Sequence, residues 1–324
     1  MDSNSITARL GSDWEALGAL LKDVLSTDVP LLDGINSSLL ANSGKMLRPI
    51  LTLYVARVCN GGKLAADSLR CAAAVEILHN ATLLHDDVAD AAATRRGTPT
   101  VYSEYGPVPA VLVGDYWLAR AVALLVDSAD LGWMVKEFAR TLTDLAEGEM
   151  LQQQKAFSSD TTVQDYLRII YCKTASLFVT ACESGARTVG ASPQMMKAAG
   201  DFGRALGMAF QIRDDILDYA GGEATGKPVG LDIREQKITL PLLGALEGSG
   251  RESEIRQMIN SVHDHPDYPE RLQAFVLERG GVEYAEAKLK EYMGEALEAL
   301  EAFPPSADRD VLARIAGMNS DRKR

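Results

Sequence analysis

Two short acidic runs carry the most specific chemistry in this sequence. Leu83-Leu84-His85-Asp86-Asp87-Val88-Ala89-Asp90 sets three carboxylates within five residues, and Gln211-Ile212-Arg213-Asp214-Asp215-Ile216-Leu217-Asp218 repeats the spacing. On a helix, Asp86 and Asp90 stand at i and i+4 and share a face, with Asp87 beside them. Asp214, Asp215 and Asp218 follow the same pattern. Each run closes an apolar stretch, where three like charges repel one another unless a cation sits among them. A single acidic helix end is most simply a solvated one, but two copies point to a site. Oxygen donors with no cysteine nearby select a hard cation, most simply Mg²⁺. Mg²⁺ takes few protein carboxylates and keeps places for water and phosphate oxygens, so paired clusters suggest several ions gripping a diphosphate between helices.

Basic residues accompany both runs. Gly44-Lys45-Met46-Leu47-Arg48-Pro49 puts two cations at a helix start, where backbone amides also favour anions. Arg95-Arg96-Gly97 follows the first acidic run, Lys173-Thr174 lies beside apolar residues, and Lys227 and Lys237 follow the second run. His79 lies two turns before Asp86, roughly on its face. His79 and His85 have no third nitrogen or sulfur ligand near them, and His85 reads as a hydrogen bonder that supports its neighbours. Phe210, before Gln211, reads as core, with lining of a substrate pocket as the weaker alternative.

The elements that must position these groups are helices. Ala, Leu, Glu, Met and Arg are abundant and period-2 alternation is hard to find. Helices are expected over 12–25, 47–58 and 64–93, the last apolar most of the way round and therefore buried and central. A loop is expected over 97–109. Further helices are expected over 109–126, 132–156, 163–185, 193–219, 239–246, 251–262, 268–279, 282–301 and 307–318. With no solenoid repeat and no low-complexity linker, residues 1–324 read as one all-α domain.

Composition bounds the partners. The 324 residues carry a net charge of −12 and are 47% hydrophobic, which suits a large folded core and disfavours nucleic-acid binding. Cys59, Cys71, Cys172 and Cys182 form no C-x-x-C pair and read as buried thiols in a reducing compartment. No uncharged apolar run approaches the ~18 residues of a membrane span, and no signal peptide is evident at the N-terminus, so a cytoplasmic location is expected. Gly221-Gly222-Glu223-Ala224-Thr225-Gly226-Lys227 fits the P-loop spacing, but Pro228 follows where Ser or Thr is needed, and a helix precedes it instead of a strand. Gly200, Gly203 and Gly207 read as close helix packing.

Taken in chain order, Gly44-Lys45-x-x-Arg48-Pro49, His79, Asp86-Asp87-x-x-Asp90 with Arg95-Arg96-Gly97, Lys173-Thr174, Gln211, and Asp214-Asp215-x-x-Asp218 with Gly226-Lys227 and Asp232 resemble the trans-isoprenyl diphosphate synthases, most nearly those making medium and long polyprenyl chains. The resemblance covers nearly the whole chain. It implies a bundle of long helices around a deep apolar cavity, usually a homodimer, that joins isopentenyl diphosphate to an allylic diphosphate. It assigns two Mg²⁺ ions to Asp86, Asp87 and Asp90 and a third to Asp214, with Asp215 and Asp218 orienting the third through water. It gives Arg95, Lys173, Thr174, Gln211 and Lys227 to the allylic diphosphate, with Lys237 at the rim. Lys45, Arg48, His79 and Arg96 would hold isopentenyl diphosphate. Catalysis would rest on Asp86, Asp87, Asp90, Lys173, Gln211, Asp214 and Lys227.

The same resemblance ties product length to the positions four and five before the first aspartate. Those are Thr82 and Ala81, with Leu78 one turn deeper, which leaves the cavity floor open and implies products longer than twenty carbons for quinone side chains. A geranylgeranyl diphosphate synthase and a non-catalytic subunit of a heteromeric synthase are the alternatives. A terpene cyclase is disfavoured by the second Asp-rich run. A long apolar product also implies peripheral membrane contact at release.

Overall fold

The structure, a computed structural model, describes residues 3–95, 97–220 and 230–321. Among the described residues it is built of helices, with one two-stranded hairpin. The first elements are α1 (Ser3–Leu10), α2 (Ser12–Leu25), α3 (Pro30–Ala41), α4 (Leu47–Cys59) and α5 (Ala66–Ala89). The hairpin β1 (Thr94–Arg95) and β2 (Thr98–Pro99) follows, then α6 (Val101–Tyr105), α7 (Pro107–Val126), α8 (Leu131–Ser158) and α9 (Val163–Ile170). A π turn over Tyr171–Ala175 joins α9 to α10 (Ser176–Thr188). The chain continues through α11 (Pro193–Ala220), α12 (Leu231–Arg234), α13 (Leu240–Leu246), α14 (Glu252–Asn260), α15 (Tyr268–Glu278), α16 (Gly281–Leu300) and α17 (Ala307–Asp321).

Where these differ from expectation, a local cause is visible. The central helix stops at Ala89 instead of 93 because Ala91 adopts a left-handed φ of 49° directly behind Asp90. The expected loop over 97–109 holds one hairpin strand, and Thr100 caps α6 by accepting from the Ser103 amide at 3.0 Å. Helix α3 has no counterpart in the sequence reading, since Gly34, Asn36, Ser37 and Ser38 are poor helix formers. Tertiary contacts override that preference. Asn36 is buried, its amide donates to the Leu25 carbonyl at 2.8 Å, and it accepts the Trp117 indole N–H at 2.8 Å.

The chain divides into two compact units. One comprises Met1–Phe138, Thr180–Lys197 and Phe303–Val311, the other Ala139–Val179, Ala198–Ala302 and Leu312–Arg324. In the first, α5 packs against α4 and α7. Gly114 of α7 makes room for the His85 ring: a Cβ there would lie 2.3 Å from Nε2. His85 Nε2 also lies 3.3 Å from Asp115, so this histidine is a packing and hydrogen-bonding group. Asp308 pairs with Arg9 at 2.8 Å and Arg57 at 3.1 Å, fastening the start of α17 to the N-terminal helices.

Helix α7 is the one described helix long and apolar enough to cross a membrane by length and composition. It carries Asp115 and Arg120, and it buries Trp117, Ala121, Leu124 and Leu125. Arg120 Nε donates to the Val24 carbonyl at 2.5 Å. In the second unit α11 lies against the π turn and the start of α10. A Cβ on Gly207 would sit 2.5 Å from Ala175 Cα, and one on Gly203 would sit 2.6 Å from the Phe178 carbonyl. Those two glycines are close-packing positions, as their spacing predicted. Phe210 is half-buried with its ring 5.7 Å from Phe178.

Candidate active site

The first acidic run ends α5, and the chain that follows turns back on it. Thr94 pairs with Pro99 and Arg95 with Thr98; the left-handed Ala91, with the Ala92 amide donating to the Asp87 carbonyl at 2.9 Å, turns the chain so that Arg95 lies against Asp87. Arg95 Nε donates to Asp87 Oδ1 at 2.8 Å. Asp87 is buried, Asp86 half-buried and Asp90 exposed. Burial pushes the Asp87 carboxyl up, Arg95 pulls it back, and Asp90 adds to the rise. Lys45 is exposed just before the left-handed Met46 that opens α4, while Arg48 and His79 are half-buried. Ala81 and Leu78 are buried in α5, and the Thr82 hydroxyl donates to the His79 carbonyl at 2.8 Å. Arg96 and Lys227 lie outside the described residues.

The second acidic run shares its unit with Lys173, Thr174, Gln211 and Lys237. A cavity of about 150 Å³ is lined by Lys173, Gln211, Asp215 and Lys237 together with Gln152, Lys155, Tyr166, Ile169, Asp232 and Thr239. Asp214 is exposed; Asp215 is only 5% exposed. Gln211 Nε2 donates to Asp215 Oδ1 at 2.9 Å and the Tyr166 hydroxyl to Oδ2 at 2.7 Å. Burial raises the Asp215 carboxyl to about 7; those two hydrogen bonds oppose the rise, and Asp214 and Asp218 add to it. Asp218 accepts the Leu231 and Asp232 amides at 3.1 Å each, so its carboxylate caps the start of α12. Burial raises the Asp218 and Asp232 carboxyls as well.

The cationic side of this unit is held by carboxylates. Lys173 pairs with Glu149 at 2.5 Å, Lys155 with Asp165 at 3.0 Å, and Lys237 with Glu235. Burial tends to raise the Glu149 carboxyl, but Lys173 and Lys237 prevail and hold it below its usual range. Thr174 donates to Gln211 Oε1 at 2.7 Å. Sequence reasoning did not find Glu149, Gln152 or Tyr166. An inward-facing tyrosine on an amphipathic helix reads as core, and glutamates on a long polar helix read as solvated.

The donor set fits a hard divalent cation. It is all oxygen in each unit, and burial raises Asp87 in the first and Asp215 and Asp218 in the second. Among the described residues no three candidate ligands converge into a preformed cage. Asp215 and Asp218 already have both oxygens engaged by hydrogen-bond donors, whereas Asp214 does not have burial against it. Such an arrangement suits a metal that arrives with its own water and phosphate oxygens.

These helices form an isoprenoid synthase fold, a class defined by an all-α bundle carrying two acidic runs. The chain belongs to the polyprenyl synthetase family, whose profile it matches over residues 29–276. It is 37% identical over 320 residues to the all-trans-nonaprenyl-diphosphate synthase (geranyl-diphosphate specific) of Rhodobacter capsulatus, covering 98% of this chain and 97% of that protein. A decaprenyl diphosphate synthase structure from Rhodobacter capsulatus matches with a TM-score of 0.92 at 36% identity, covering 100% of both chains. A polyprenyl synthase from Caulobacter crescentus CB15, complexed with calcium and isoprenyl diphosphate, matches with a TM-score of 0.90 at 34% identity, covering 100% of this chain and 98% of that one. The chain is therefore a trans-prenyltransferase that elongates prenyl chains head to tail with divalent-metal assistance.

Proposed function

We propose that this enzyme condenses isopentenyl diphosphate with an allylic diphosphate to make all-trans polyprenyl diphosphates longer than twenty carbons, precursors of quinone side chains. The observation that carries the length is the small, fully buried Ala81 five residues before Asp86, with Thr82 beside it and Leu78 deeper. The relatives named for nonaprenyl and decaprenyl products support the same reading. Incubating the purified chain with Mg²⁺, isopentenyl diphosphate and geranyl, farnesyl or geranylgeranyl diphosphate, then chromatographing the products, tests it. A product set ending at twenty carbons would favour a geranylgeranyl diphosphate synthase, and no consumption of isopentenyl diphosphate would favour a non-catalytic subunit.

In this reading Asp86, Asp87, Asp90 and Asp214 would hold up to three Mg²⁺ ions, with Asp215 and Asp218 supporting them through water, and the bound metal would supply positive charge against the departing diphosphate. Lys173, Thr174, Gln211, Arg95, Lys227 and Lys237 hold the allylic diphosphate, while Lys45, Arg48, His79 and Arg96 hold isopentenyl diphosphate. Lys173, released from Glu149, supplies positive charge where charge develops. Apolar helix walls exclude water from the allylic cation. The proton lost from the new chain goes to the departing diphosphate.

Residues 1–324 act as one domain in this reading; supporting it, the family match runs through both compact units. The enzyme is a homodimer; supporting this, Val108, Leu112, Val122 and Val126 are exposed on one face of α7, interrupted by Asp115. Four free cysteines suit the cytoplasm. The apolar product gives a reason for peripheral membrane contact at release, which flotation with liposomes would test.

A further inference from the structure

Tyr166 enters the second unit's cavity from a helix whose pattern reads only as packing. It is 2% exposed, and its hydroxyl donates to Asp215 Oδ2 at 2.7 Å. The other oxygen of Asp215 takes the Gln211 amide at 2.9 Å, and the Gln211 carbonyl oxygen takes the Thr174 hydroxyl at 2.7 Å. Four side chains therefore form one hydrogen-bonded series. Its ends, Tyr166 and Thr174, are eight residues apart along α9 and the π turn, and its middle members are four apart on α11. On an uninterrupted α-helix, eight residues overshoot two turns by about 80°. The π turn at Tyr171–Ala175 absorbs roughly one extra residue, so the two ends behave about as i and i+7, on one face.

A buried phenol is often only core. Here its hydroxyl is spent on a carboxylate that lines the cavity, beside Lys173 and Lys237. Removing it would leave a buried carboxylate short of one donor. Resting on the reading of this cavity as part of the metal–diphosphate site, we infer that Tyr166 is a positioning residue, which fixes Asp215 so that the carboxylate keeps its remaining lone pairs toward the cavity.

The test is Tyr166→Phe, which keeps the ring and removes the donor. Mg²⁺ titrations in the presence of inorganic diphosphate, followed by thermal shift, are expected to need about tenfold more Mg²⁺ for half the effect. Turnover should fall with KM for isopentenyl diphosphate unchanged, while helical circular dichroism stays near that of the parent and the metal-free melting temperature drops only modestly, for the one donor lost. In an Asp215→Asn background, Tyr166→Phe should cost nothing further, because both act through one carboxylate. An unchanged Mg²⁺ requirement in folded Tyr166→Phe, an additive loss in the double variant, or loss of helical structure would each overturn the inference. A parent protein that consumes no isopentenyl diphosphate would instead overturn the reading of the site itself.

Discussion

Asp214 and Asp215 are adjacent in sequence and opposite in environment. Asp214 is exposed near the end of its helix, so burial does not oppose the charged carboxylate there. Asp214→Ala is expected to lower turnover by roughly 10²–10³, the usual cost of losing a main electrostatic stabiliser. The metal-free melting temperature should hold, since one repelling carboxylate is removed; steady-state kinetics with Mg²⁺ and a thermal melt check both halves. Asp215 behaves differently because burial raises its carboxyl to about 7. The folded protein then holds this proton more tightly than the unfolded chain. The stabilisation is full below the ordinary carboxylate range, and it is lost as pH rises toward about 7. Metal-free protein in chelator should therefore melt at lower temperature as pH is raised from about 5 to 8, and Asp215→Asn should flatten part of that slope. The raised carboxyls of Asp87, Asp144, Asp218 and Asp232 act in the same direction, and the lowered Glu149 and Asp165 oppose them.

At the scale of elements, the proposed function gives α5 two tasks, metal arm and ruler. Ala81 lies five residues before Asp86, ~7.5 Å along the axis. A tail held by its diphosphate at the Asp86 end and growing along α5 would pass Ala81. Ala81→Phe should shift products toward fifteen or twenty carbons while Mg²⁺ and diphosphate binding persist, since the polar end of the helix is unchanged. Ala81 is fully buried, so overpacking could cost about 1–3 kcal/mol, and a melt must accompany the product analysis. A folded variant with unchanged products would show that the floor lies on another element. The turn after α5 is a second such device: the left-handed Ala91 and the Ala92 amide on the Asp87 carbonyl bring Arg95 back onto Asp87, eight positions earlier.

For the whole molecule, the exposed side chains of α7 carry the quaternary prediction. Leu112 is 61% exposed and Val108 67%, on a helix whose other face is packed in the core. Light scattering after size exclusion should give twice the chain mass for the parent. Leu112→Asp should shift the species toward the chain mass with little loss of monomer stability, because the side chain is exposed in the single chain. A parent that runs as a monomer would overturn the homodimer proposal.

Residue order alone determined the reaction class, because the acidic runs and the basic residues around them are local patterns that survive without coordinates. The long helices were equally legible: Ser12–Leu25 follows from apolar periodicity and the core of α5 from a run apolar most of the way round. Tertiary structure decided what periodicity cannot express, namely which neighbour each face meets. Asn36 sits within a poor helix former yet is fixed by Leu25 and Trp117, so packing created α3 against local propensity. The π turn shifted register by about one residue, a change that no hydrophobic pattern encodes. That shift, together with the packing of α11, put Tyr166 on Asp215, and burial there then set the charge of the carboxylate. Sequence fixes which groups are present and along which helix faces; only the packed chain fixes their partners, because hydrogen bonds and desolvation depend on contacts made far apart along the sequence.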